Sequence, residues 1–113
     1  MNEIALFDNP LPGMSYDALY RATWEQVKKD FAHFCTPPEI DGAPRPDTMH
    51  AAIVDMLHLL QGDSLKINSL FYRIDLSEKK QIPGGDIQAL AMMILRREAQ
   101  KVWIRANYSA PQS

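Results

Sequence analysis

The chain has 113 residues, 46% hydrophobic and 23% charged, with a net charge of −2. That is the length of one domain, with enough apolar content to bury a core without a metal staple. A single cysteine, Cys35, excludes an internal disulfide, and no internal repeat or low-complexity tract is present.

A lone thiol fits a reducing compartment. The first seven residues carry Glu3 where a leader peptide has a basic region, and their apolar stretch is only four residues long. The longest apolar run, Ala89 to Leu95, is too short to span a bilayer. These features point to a cytoplasmic protein with no membrane association. Charge is unevenly placed: residues 1–63 carry ten acids and four bases, and residues 64–113 carry eight bases and four acids. An excess of +4 in the second half is small beside the dense basic surfaces of committed nucleic-acid binders. Attraction between the two halves, within one fold or across an oligomer, is the preferred explanation.

Residues 1–14 read as an arm. Ile4, Leu6, Phe7, Leu11 and Met14 give it apolar side chains to lay over its own bundle or a neighbouring subunit. The first helix is expected from about Ser15 to Phe34. Tyr16, Tyr20, Trp24, Val27, Phe31 and Phe34 recur at helical spacing, Ser15 can cap the start, and Pro37 and Pro38 force the end. Asp17 with Arg21 and Glu25 with Lys29 form acid-then-base pairs four residues apart. A Pro-rich connection, 35–46, leads to a second helix capped by Asp47 or Thr48 and ending before Gly62. Met49, Ala52, Ile53, Met56, Leu57, Leu59 and Leu60 cover more than half its circumference, which predicts the central, most buried helix of the fold.

Asp63 or Ser64 can cap a third helix whose face is Ile67, Leu70, Phe71 and Ile74; a short strand over Leu70 to Leu76 is the competing reading. The fourth helix is expected from Asp86 to about Asn107, with Ile87, Leu90, Ala91, Ile94, Leu95, Ala99, Val102, Trp103 and Ala106 inward. The resulting fold is all-α: a compact bundle of about four helices over residues 15–107, followed by a loose tail, 108–113.

No GxSxG, Walker, GxGxxG or HExxH pattern occurs, and Gly84-Gly85 before Asp86 lacks the Lys-Ser or Lys-Thr of a phosphate loop. No catalytic residue, metal or cofactor is therefore expected. One mixed ligand set is conceivable: His33 and Cys35 at the end of the first helix, with Asp47 and His50 at the start of the second. It would support a small metal-binding or enzymatic domain. Arg73, Asp75 and Glu78 read as ordinary helix-end partners.

The fourth helix carries two further candidates. Arg97, Lys101 and Arg105 fall in one lane interleaved with Ile104 and Tyr108, an anion- or nucleic-acid-binding pattern that Glu98 partly neutralises. Val102, Trp103, Ile104, Ala106 and Tyr108 make its last turns apolar on nearly every side, more than one bundle can cover. Trp103, Ile104 and Tyr108 are thus the candidate interaction surface. The preferred reading is a non-enzymatic helical protein-interaction module or small homo-oligomer; nucleic-acid binding through the basic lane is the alternative.

Overall fold

The computed structural model describes residues 15–76 and 86–108, the last two of them, 107 and 108, by backbone alone. Among these residues the chain forms four helices and no strand: α1 Tyr16–Phe31, α2 Pro46–Leu60, α3 Ser64–Ile74 and α4 Ile87–Tyr108. The all-α bundle is as the periodicity predicts. The arm 1–14 and the tail from 109 onward lie outside the described residues.

Capping chemistry sets the starts. Ser15 accepts a hydrogen bond from the Ala18 N–H at 3.1 Å, Asp63 from Lys66 N–H at 3.2 Å, and Asp86 from Ala89 N–H at 3.1 Å. The second helix starts earlier than Asp47: Arg45 is the cap residue and Pro46 occupies the first turn. Proline suits that position because its missing N–H has no helical partner there. The Thr48 hydroxyl instead accepts from the Arg45 N–H at 3.0 Å, closing the start from inside the helix.

Two ends also differ from expectation. The first helix stops at Phe31, short of Phe34, because the N–H groups of Phe34 and Cys35 both turn back onto the Phe31 carbonyl, at 2.8 and 3.0 Å. The chain has already left the helix before Pro37 can act. The fourth continues through Tyr108, one residue into the expected tail. Gly62 follows α2 at φ 91°, the left-handed conformation expected of a residue after a helix end.

The core joins Trp24, Val27 and Phe31 of α1, Met49, Ile53, Met56, Leu57 and Leu60 of α2, Leu70 and Ile74 of α3, and Leu90, Ala91, Ile94 and Leu95 of α4. The central helix is α4, not α2: it packs along both α1 and α2, which touch one another far less. Leu59, grouped with the α2 core by periodicity, is 68% exposed. Among the described residues no further helix packs over that side of α2. No helix among the described residues is long and apolar enough to cross a membrane.

Candidate functional site

Asp30 lies in the last turn of α1, where the helix dipole disfavours an anion, and it is buried. Three side chains offset that cost. Gln26, one turn back, donates its amide N–H to Asp30 Oδ2 at 3.2 Å. Lys101 of α4 places its Nζ 3.0 Å from the same oxygen. Arg73 of α3 holds its Nε 3.5 Å from Oδ1. One carboxylate thus ties three helices together.

A second carboxyl stands behind it. Glu98 of α4 is wholly buried, with Oε1 3.1 Å from Lys101 Nζ, the ammonium it shares with Asp30, and with neither carboxyl oxygen in a well-formed hydrogen bond. Burial, reinforced by the Asp30 contact and opposed by Lys101, pushes the Glu98 carboxyl up to about 8. Burial also acts to raise Asp30, but the neighbouring Glu98 carboxyl and the hydrogen bonds from Lys101 and Gln26 outweigh it and hold Asp30 below the ordinary carboxylate value. At neutral pH Glu98 therefore holds its proton and Asp30 is ionised. The pair carries one negative charge, and Asp30 is the counterion of Lys101.

This hub floors a cleft of about 980 Å³ between α1, α3 and α4. Lys29, Arg73, Lys101 and Arg105 line it against the single carboxylate of Asp30. Arg105 is oriented by its Nη1, which donates to Gln26 Oε1 at 3.1 Å. Leu65, Asn68, Ser69 and Tyr72 of α3 form the opposite wall, with Leu65 79% and Tyr72 89% exposed. Four cations beside two protruding apolar side chains suit an anionic partner that also offers apolar surface. Acid–base chemistry suits the site less, since Glu98 is sealed from solvent and Asp30 is saturated with donors.

The predicted basic lane on α4 is divided. Arg97 turns away to Asp75, donating Nη2 to Oδ2 at 2.7 Å and Nε to the backbone carbonyl at 3.1 Å. Asp75 there adopts φ 67° at the end of α3, so Arg97 clamps a left-handed cap. Lys101 is committed to Asp30 and Glu98. Arg105 alone of the three is exposed, and it shares the cleft with Lys101. A continuous phosphate-gripping stripe is not formed.

Trp103 and Ile104 are half-buried, Val102 is buried, and the side chain of Tyr108 lies outside the described residues. Among the described residues the large exposed apolar side chains are Tyr16, Leu59, Leu65 and Tyr72. His33 opens onto the cleft, while His50 contacts the Gln88 carbonyl at 2.9 Å with its Nε2. Burial, partly opposed by Lys66, pushes the Cys35 thiol up, away from the thiolate a metal needs. Among the described residues no three or more His, Cys, Asp or Glu side chains converge as a metal site, so His33, Cys35, His50 and Asp47 are not brought together.

The periodicity concealed Asp30, Glu98 and Arg73. A signal existed for Glu98: it follows Ala91 and Leu95 and precedes Val102 at spacings of four, three and four, squarely on the apolar face. A carboxyl on a buried stripe with a lysine three residues later predicts an internal pair. No protein-family model matches the chain, and neither the curated proteins nor the solved structures contain a significant match.

Proposed function

We propose that the protein is a non-enzymatic binding module that captures an acidic protein surface in the cleft between α1, α3 and α4. One observation carries this reading: among the described residues four cations and one carboxylate line a cleft whose rim bears the exposed Leu65 and Tyr72. Apolar side chains so exposed, next to fixed cations, resemble the anchor-and-rim composition of contact surfaces. Asp30 and Gln26 hold Lys101 and Arg105 in place, which reduces the ordering cost of binding.

The test is fluorescence anisotropy with a labelled peptide alternating Asp or Glu with Leu. Saturable binding is expected, weakening with salt and falling at least about tenfold, the effect of 1.4 kcal/mol, in the Lys29→Glu, Arg105→Glu double variant. Both residues are exposed, and circular dichroism checks that the double variant folds. Absence of saturable binding at low salt, or tighter binding of a single-stranded oligonucleotide than of the peptide, would reject the proposal.

A further inference from the structure

The chain itself carries a surface with the chemistry this cleft calls for. On α2, Asp47, Ala51, Asp55 and Leu59 recur every four residues, and all four are exposed. They form a lane about 18 Å long at 1.5 Å per residue, which winds through about 120° of the helix at 3.6 residues per turn. Asp47 and Asp55 make no ion pair among the described residues, and Leu59 is one of the most exposed apolar side chains. Two free acids followed by a protruding leucine on a rigid helix mirror the cleft, which offers cations followed by Leu65 and Tyr72.

We infer that the occupant of the cleft is the α2 lane of a second copy of this chain, in a head-to-tail association. Asp47 and Asp55 meet the cationic wall, and Leu59 packs on the apolar rim supplied by α3. The inference rests on the proposed reading of the cleft as a docking surface. It also accounts for the charge division of the sequence: the acidic lane lies in the acidic half, and three of the four lining cations lie on α3 and α4 or at their ends, with Lys29 on α1. Because the two surfaces differ, the contact is heterologous: copies add in rings or open chains instead of closing as a symmetric pair.

Complementation between two defective variants tests this. Asp47→Asn with Asp55→Asn neutralises the lane and leaves the cleft; Lys29→Glu with Arg105→Glu removes the cleft's outer cations and leaves the lane. All four positions are exposed, and circular dichroism with thermal melting checks that each variant folds. In sedimentation equilibrium the wild type is expected to gain mass with concentration and lose it with salt. Each variant alone is expected to be a monomer. Their equimolar mixture leaves each chain with only a mismatched or like-charged surface for itself, yet one intact cleft meets one intact lane, so the mixture stops at a dimer. A monomeric wild type at every concentration, a monomeric mixture, or a variant that still self-associates overturns the inference. If the acidic peptide nevertheless binds the cleft, the head-to-tail contact alone has failed; if neither occurs, the docking reading fails with it.

Discussion

Lys101 Nζ stands 3.0 Å from Asp30 Oδ2 across 71 residues of sequence, and this contact fixes how α4 lies on α1. Hydrophobic burial alone allows neighbouring helices to slide, since apolar contacts are non-directional. A buried charge pair does not, because any shift leaves an unpaired charge in low dielectric. The same pair orients the cleft: Asp30 also receives Arg73, and Gln26 links it to Arg105. Packing register and surface charge are therefore set by one carboxylate.

The proton on Glu98 makes stability depend on pH in a definite direction. Its carboxyl is raised from 4.5 to about 8 in the folded chain. Between those values the folded state holds a proton that the unfolded state has released. Stability is thus fully present below pH 4.5 and falls as pH rises through 8. Asp30 acts oppositely: lowered from 3.8, it costs stability as pH falls below that value. Maximum stability is expected near pH 4 to 5 from these two groups. Glu98→Gln keeps the shape and the neutral form of the side chain and cannot ionise, so it is expected to flatten the alkaline limb and to raise stability at pH 8 by a few kcal/mol. Urea unfolding at a series of pH values checks it; a parallel pH profile in the variant counts against a protonated Glu98.

The two carboxyls should also back each other up. In Asp30→Asn, Lys101 loses its counterion, but Glu98 stands 3.1 Å away and can ionise to replace it. The single change is then expected to cost less than the roughly 3–5 kcal/mol of breaking a buried pair. Asp30→Asn with Glu98→Gln removes both, leaving the half-buried Lys101 without an anion. The double variant is expected to lose about 1–3 kcal/mol more than the sum of the single variants. Denaturant titrations of the four proteins give the coupling; additive costs would mean that Glu98 does not take over.

Much of this fold is written in helical periodicity, and the site is not. The apolar stripes from Leu19 to Phe31 and from Leu90 to Val102, with caps at Ser15, Asp63 and Asp86, give four helices and their inward faces. Periodicity reports how many apolar positions a helix has, not how many neighbours cover them. Hence α2 looked central while α4 is, and Leu59 looked buried while it projects. The site failed for a different reason. Arg97, Lys101 and Arg105 form one lane by spacing, but their partners sit on other helices, 71 and 79 residues away for Lys101 and Arg105. Long flexible cations go where an anion is fixed, and only the tertiary structure fixes Asp30 and Asp75.

Two aliphatic residues on α2 separate burial from composition. Ile53 is fully buried, whereas Leu59, six residues on, is 68% exposed. Ile53→Ala is expected to cost about 2–5 kcal/mol through lost contacts and a cavity. Leu59→Ala is expected to change stability by no more than about 0.5 kcal/mol. Chemical denaturation measures both, and a large loss at Leu59 would mean that the residue is covered in the folded chain.

The link between α2 and α3 has a stability cost of purely backbone origin at Gly62. A Cβ built there meets nothing within 4 Å, so crowding is absent, yet φ is 91°. Side-chain-bearing residues adopt that region reluctantly, and asparagine tolerates it better than alanine. Gly62→Ala is therefore expected to destabilise by about 1 kcal/mol and lower the melting temperature by a few degrees. Gly62→Asn should cost less despite its larger side chain, because the space is open. An asparagine variant less stable than the alanine one would point to steric crowding and not to backbone strain as the limit at this turn.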